Sequence, residues 1–335
     1  MRKIVLFFLI STSYIFAIDY TTIPDDELVE LAKDGDVEAQ YSLAILLDQL
    51  KYEKNSQRLD YLERDSFKWY ELAAQNGHPK SITKVALEYL SEFGQYKVKD
   101  YKKCINLLTQ SAAEDREAAL YLSIMYYFGL GVEKNSQSSL EYLIQSQKNF
   151  YRLRPLIYLE KELISMVRDL VKQENPYALF ILGDFYYYGK TGAYNQDYKK
   201  AYRVYRKAAD LGNVSAIYMV GLMNYNGIGI LKDLHEAYNW IIKAAENNII
   251  DAISKAGIMN YFGEGTVINY ELAHSLFLKA SEGGESLSQY FLGVMYYKGE
   301  GCQKDRDLSR KWIKEAYLNG STSAKKFWET KELWK

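Results

Sequence analysis

The chain predicts an all-α fold, a right-handed superhelical solenoid of stacked helix-turn-helix units. Three observations carry this. A pattern returns at intervals of 36 to 38 residues through the C-terminal half. Small residues recur at fixed offsets inside each copy. Each copy also passes from helical periodicity to a Gly-x-Gly turn and back to helical periodicity. The composition agrees, because 335 residues with 48% hydrophobic and 25% charged side chains supply ample core and exclude bulk disorder.

The N-terminus reads as an export signal. Arg2 and Lys3 form a short basic region, Ile4 to Ile10 is unbroken apolar sequence, and Ala17 offers a small residue for cleavage before Ile18. The apolar run is well short of the roughly 20 residues that span a bilayer. Residues 1–17 are therefore expected to be removed, leaving no stable membrane insertion. The expected location is periplasmic or secreted.

Next comes a polar helix over residues 25–35 (DDELVELAKDG), suited to capping the stack. Seven units follow, opening at Ala39, Ser81, Ala118, Ala178, Ala216, Ala252 and Ser288. Five residues on stands a second small residue, namely Ala44, Ala86, Ser123, Gly183, Gly221, Gly257 or Gly293. A helix-interior glycine costs about 1 kcal/mol against alanine, so its recurrence predicts that a neighbouring helix backbone comes too close for a side chain. Nine residues after the opening an aromatic returns (Tyr127, Tyr187, Tyr225, Tyr261, Tyr297). The turns Gly129/Gly131, Gly227/Gly229, Gly263/Gly265 and Gly299/Gly301 suit left-handed helix ends. Asn135, Asp197, Asp233, Asn269 and Asp305 are then placed to cap a second helix. Endings such as KAADLG, KAAENN and KASEGG close the unit. No hairpin of this kind buries its apolar face alone, so the hairpins must stack.

Two departures punctuate the array. A long charged segment replaces the turn after Asp48. Between the third and fourth units the interval grows to 60 residues, and Leu156, Leu159, Leu163, Met166, Val167 and Leu170 fall at helical spacing. This predicts an amphipathic helix with Pro155 in its first turn and its end at Asn175-Pro176. The predicted organisation is signal 1–17, N-terminal array 18–150, inserted helix 151–176, and C-terminal array with capping helix 177–335. The inserted helix either packs on the third unit or offers residues 155–173 for weak self-association of an otherwise monomeric protein.

The pattern A-x-x-x-L-G-x-x-Y-Y-x-G-x-G followed by D-x-x-K-A-x-x-W-x-x-K-A-A-x-x-G resembles the Sel1-like repeat, a relative of the tetratricopeptide repeat. The resemblance spans nearly the whole chain after residue 17 and is strongest from Ala178 to Gly320. It implies an adaptor that binds a protein or peptide partner on the concave face. Cysteine-rich members of that family have been linked to penicillin binding and β-lactamase activity. Their signature is a pair of cysteines in each repeat, whereas this chain has 2 Cys in all.

The residues give little support to catalysis. Cys104 and Cys302 lie five units apart, too far for the roughly 7 Å between Cα atoms that a disulfide needs, so both are expected as free thiols. His78, His235 and His274 share no ligand spacing, and neither a metal nor a cofactor is expected. Ser-x-x-Lys occurs at Ser81/Lys84 and Ser323/Lys326, no more often than composition predicts. Lys190-Thr191-Gly192 falls in a turn, and no Ser-Asp-Asn accompanies it. A formal charge of −1 argues against a strongly basic nucleic-acid binder. The 32 Tyr suit bulky positions between helices with the hydroxyl near solvent. Partner contacts are expected where sister first helices vary most, two and three residues after the opening: Tyr218, Met219, Ser254, Lys255, Tyr290 and Phe291.

Overall fold

The structure is a computed structural model that describes residues 20, 23–50, 65–92, 95–147, 159–189 and 193–331. The signal segment, most of the charged segment after Asp48, Pro155, Leu156 and Lys190-Thr191-Gly192 lie outside the described residues. Among the described residues the regular structure is 17 α-helices and one 3-10 turn.

Helix α1 (Asp25–Lys33) packs on the first hairpin, formed by α2 (Val37–Leu50) and α3 (Ser66–Gln75). The second hairpin is α4 (Pro79–Leu87), a 3-10 turn (Glu88–Leu90) and α5 (Tyr101–Ser111). The third is α6 (Arg116–Phe128) with α7 (Ser136–Ser146), and α8 (Glu160–Lys172) is the inserted helix. The fourth hairpin is α9 (Pro176–Tyr188) with α10 (Tyr198–Asp210), and the fifth is α11 (Val214–Asn226) with α12 (Leu234–Glu246). The sixth is α13 (Ile250–Phe262) with α14 (Tyr270–Glu282), and the seventh is α15 (Ser286–Lys298) with α16 (Arg306–Leu318). The array closes with α17 (Thr322–Thr330).

The local chemistry of the helix ends follows the sequence. The side chains of Asn135, Asp197, Asp233, Asn269 and Asp305 each accept backbone N–H groups in the first turn of the second helix. Such caps contribute about 1 kcal/mol each. First helices begin two residues before the predicted opening position. Asn175, Asn213 and Glu285 cap α9, α11 and α15 there.

The close approaches are of two kinds, which refines the expectation. The helix-interior glycines meet the neighbouring helix chiefly through its side chains, and at Gly221 and Gly293 through its backbone as well, where a Cβ would lie 3.2 Å from the Ile241 nitrogen and 3.0 Å from the Ile313 nitrogen. A Cβ on Gly257 would lie 2.7 Å from the Phe277 ring, and one on Gly221 would lie 2.7 Å from Cγ1 of Ile241. Gly183 faces the Tyr205 ring and Gly293 faces Ile313. Each partner lies on the second helix of the same hairpin. Backbone meets backbone most closely at the second turn glycine. Gly131, Gly229, Gly265 and Gly301 abut the first residues of the preceding unit's second helix, at Tyr101, Tyr198, Leu234 and Tyr270. The interior glycines therefore close a hairpin, and the turn glycines join one hairpin to the next.

The inserted helix departs from its predicted start. Its N-cap Leu159 takes a left-handed conformation, φ 57°, so the helix begins at Glu160. Its apolar face is covered: Leu163 is 2% exposed and Met166 and Val167 are fully buried, against α6 and α9. That burial removes the face from any self-association surface. The core continues past the insertion through α9, whose Ile181 and Phe185 pack with the third unit and whose Leu179 and Phe180 pack with the fifth.

Candidate functional site

The first helices carry much of the core, and the residues on them that escape burial define their accessible surface. On α13 these are Ile250 and, at helical spacing, Asp251, Lys255, Ile258 and Phe262, the last 54% exposed. The same stripe continues on α11 as Leu222 and Asn226, and on α15 as Leu287, Phe291 and Lys298. α13 and α15 touch each other directly across the intervening α14. The first helices of these two units thus lie side by side.

Electrostatics are concentrated where the stripe meets the turns. The Lys255 ammonium lies 3.4 Å from the centroid of the Tyr225 ring, in the preceding unit. The Tyr225 hydroxyl donates to Glu264 across 2.7 Å. Burial pushes the Lys255 ammonium below its ordinary range, against the opposing pull of Glu264. Burial and Glu264 together push the Tyr225 phenol up to about 12. The next unit repeats the motif. Tyr261 donates to Glu300, and the Lys298 ammonium lies 3.0 Å from the Tyr261 hydroxyl. Aromatic faces and held ammonium groups at this spacing suit planar or anionic side chains of a partner.

The six residues singled out from sequence divide by offset. Those two residues after the opening bridge units. The Tyr218 hydroxyl donates to the Asp251 carbonyl oxygen of the next first helix, Ser254 donates to Glu285, and the Tyr290 ring meets Phe327 edge-on. Tyr218 and Ser254 are buried, which removes them from direct partner contact. Of the residues three after the opening, Met219 is buried at 4% exposure. Lys255 and Phe291 remain half-buried on the inner stripe, with Phe291 stacked on Phe277. Asp251, Ile258, Phe262, Leu287 and Lys298 were missed. The signal that could have found them is the spacing of three, four and seven residues from Lys255 and Phe291.

A further missed residue, away from the stripe, is Asp184, 3% exposed in α9. Its carboxylate accepts the hydroxyl of the fully buried Tyr205. Sister units place Ile124, Leu222, Ile258 and Val294 at that offset, so a carboxylate there breaks the apolar rule. Nearby, the Gln147 side chain accepts from Asn213 and donates to the Tyr177 carbonyl. A polar network therefore ties α7 to the fourth and fifth units.

The histidines are placed by packing. His78 caps α4, accepts the Ser81 amide through Nδ1, and stacks on Tyr41 with ring centroids 4.1 Å apart. His235 faces the Gly265 carbonyl oxygen at 3.2 Å. His274 meets Tyr296 edge-on, with its Nε2 buried and lacking a hydrogen-bond partner. Cys104 and Cys302 are free thiols. Ser81 is buried within α4 and Ser323 lies in α17. Among the described residues no group of three or more His, Cys, Asp or Glu is arranged to hold a metal. Among them, too, no helix is long and apolar enough to cross a membrane.

Seven segments of the chain match the Sel1 repeat model: residues 37–78, 79–115, 116–146, 176–213, 214–249, 250–285 and 286–321. The chain belongs to the Sel1 repeat family. The matched segments coincide with the seven hairpins, and the gap from 147 to 175 holds the inserted helix. Similar solved structures include the following three. The protein c5321, a protective antigen of uropathogenic Escherichia coli with an SLR fold, is 21% identical at a TM-score of 0.47 over 90% of this chain and 58% of its own. A Sel1 repeat protein from Oxalobacter formigenes is 22% identical at 0.49, over 91% of this chain and 89% of its own. A Sel1 repeat protein from Klebsiella pneumoniae is 18% identical at 0.34, over 69% and 99% respectively. The chain thus spans under two thirds of the E. coli antigen's length. No curated protein matches the chain.

Proposed function

We propose that this Sel1 repeat protein is an exported scaffold that holds a protein or peptide partner along the inner, first-helix face of its stack. One observation carries the reading. On first helices that are otherwise largely buried through α11 and α13, Lys255, Ile258, Phe262, Leu287, Phe291 and Lys298 stay partly or fully accessible at matching positions of two successive units. Aromatic residues are enriched in protein interfaces, and Phe262 and Phe291 offer such anchors here. Stacked hairpins present such a stripe as a continuous surface rather than a closed pocket. Export rests on the basic, apolar and small-residue order of residues 1–17.

The test is affinity capture from envelope extract with the purified chain and with Phe262→Ser/Lys255→Glu. A partner retained by the parent and lost by the variant supports the reading, provided the two unfold at similar temperatures. Equal capture by both overturns the inner stripe as the site. Export is checked by N-terminal sequencing of the protein from the producing cell, where a start at Ile18 is expected. Nitrocefin turnover by the pure protein, abolished by one substitution, would replace the scaffold with an enzyme.

A further inference from the structure

The described array begins and ends on half hairpins of opposite kind. The turn after α1 repeats the turn after α10: the Asp36 N–H donates to the Leu31 carbonyl as the Asn213 N–H donates to the Ala208 carbonyl. Helix α1 therefore stands where a second helix stands. At the other end the Ser321 N–H donates to the Ala316 carbonyl, and the Ser321 hydroxyl accepts the Ala324 N–H. That places α17 as a first helix opening at Ala324. Helix α1 packs on α2 and α17 on α16, and among the described residues no helix completes either hairpin.

The two open faces carry opposite charge. One and seven residues after the opening, α11 buries Ile217 and Met223, and α13 buries Ile253 and Met259. Helix α17 carries Lys325 and Lys331 there, both exposed, with Lys326 exposed beside them. Residues 304–331 hold eight basic side chains against four carboxylates. Residues 25–38 reverse the sign, with seven carboxylates against one ammonium. Of these, Asp36 accepts the Tyr20 hydroxyl and Glu38 lies 3.2 Å from His78, and both keep their charge while engaged. Glu27 and Glu30 stand exposed on α1. The minority charges, Lys33 on α1 and Glu329 on α17, are also opposite to each other. The formal charge of −1 thus hides an acidic end and a basic end. A solubilising cap needs a polar face, but it does not need one sign at each end.

Apolar groups accompany the charges. Trp328 of α17 is only half-buried, where Val220, Ala256 and Leu292 of sister helices are fully buried. Beside α1, Ile23, Leu28, Ile45 and Leu46 line a cavity of about 240 Å³. Ile45 holds the offset of Ile258 on α13, one turn from the Lys255 that reaches Tyr225 of the preceding unit. The recess therefore faces the place a preceding unit would take.

We infer that copies of this chain associate head to tail, the basic α17 end of one docking on the acidic α1 end of the next. Like ends repel, which disfavours a two-fold pairing. Each contact leaves one acidic and one basic end free, so growth is open-ended. The experiment is sedimentation velocity of the chain from Ile18 onward over a range of concentrations. Species larger than a monomer should build up at about 0.01 M ionic strength and recede at about 0.15 M, as the Debye length falls from about 30 Å to about 8 Å. Lys325→Glu/Lys326→Glu should weaken self-association by roughly tenfold or more. Glu27→Lys/Glu30→Lys should do the same, and both variants should melt near the parent's temperature. Mixed in equal amounts, the two should form a 1:1 dimer, because the first keeps the native acidic end and the second keeps the native basic end. A parent that stays monomeric at low ionic strength overturns the inference and leaves the two ends to other partners. Undiminished self-association of either variant overturns it, as does a mixture that stays monomeric.

Discussion

The joint between units can be tested by adding one methyl group to Gly265. This glycine has φ 72°, and a Cβ built on it would sit well inside contact distance of the Leu234 carbonyl. Two costs follow. The left-handed conformation costs an alanine about 1–2 kcal/mol. The overlap is with backbone, which cannot rotate aside as a side chain can, and relieving it by shifting the sixth hairpin against the fifth adds about 1–3 kcal/mol. Gly212 isolates the first cost, since its φ is 89° and nothing lies within 4 Å of its would-be Cβ. Gly212→Ala should therefore lose about 1–2 kcal/mol, and Gly265→Ala about 2–5 kcal/mol. Urea unfolding followed by circular dichroism at 222 nm would measure both. Because a repeat array can unfold in parts, Gly265→Ala should also broaden the transition by uncoupling the sixth and seventh units. Equal losses at the two sites, with unchanged transition widths, would refute the idea that the turn glycine is where successive units press together.

Three further outcomes follow. Gly257→Leu should destabilise by about 1–3 kcal/mol by overpacking against the Phe277 ring, and Phe277→Val in the same chain should recover part of that loss in thermal melts. Asp184→Leu should cost about 1–3 kcal/mol by stranding the buried Tyr205 hydroxyl, and Asp184→Leu/Tyr205→Phe should recover it; a double variant no better than the single would show that the carboxylate chiefly serves another group. Burial lowers the proton affinity of His78 and His274, so the folded state binds fewer protons than the unfolded chain; stability should be full above about pH 6.5 and fall as acidification proceeds from there through the folded-state values, with a shallower fall for His274→Phe, and melting temperatures that rise between pH 7.5 and 5.5 would contradict it.

Much of the fold was legible because each hairpin repeats a local rule. Cap residues such as Asp233 act within three residues of themselves, and the glycines that end first helices declare their own conformation. What stayed hidden depends on partners distant in sequence. Gly257 reads as a gap, but which group fills it depends on Phe277, 20 residues later on another helix. The difference between Ser254 and Lys255 is a rotation of about 100° about the helix axis. That rotation sends the first towards Glu285 of the next unit and leaves the second on the inner stripe. Variation between sister units marked both positions equally, because bridging residues vary with the neighbour they meet just as exposed residues vary with their partner. Leu159 hid the start of the inserted helix in the same way, since nothing local requires a leucine to take a left-handed conformation.

A repeat protein separates its residues into those the stack needs and those it leaves alone. The opening small residue, the residue two beyond it, the interior glycine and the second turn glycine all contact a neighbouring helix or turn, so their identities answer to packing. The turn tips Leu231 and Val267 are 88% and 80% exposed, whereas on the inner stripe Lys255 covers the Tyr225 ring and Phe262 meets Tyr261 and Phe291 edge-on while staying 54% exposed. A packing role cannot explain an aliphatic side chain that is 80% or more exposed, nor does it require an ammonium over a tyrosine ring where a sister unit uses Met219. Departures of this kind are where selection for an outside contact can act without loosening the stack.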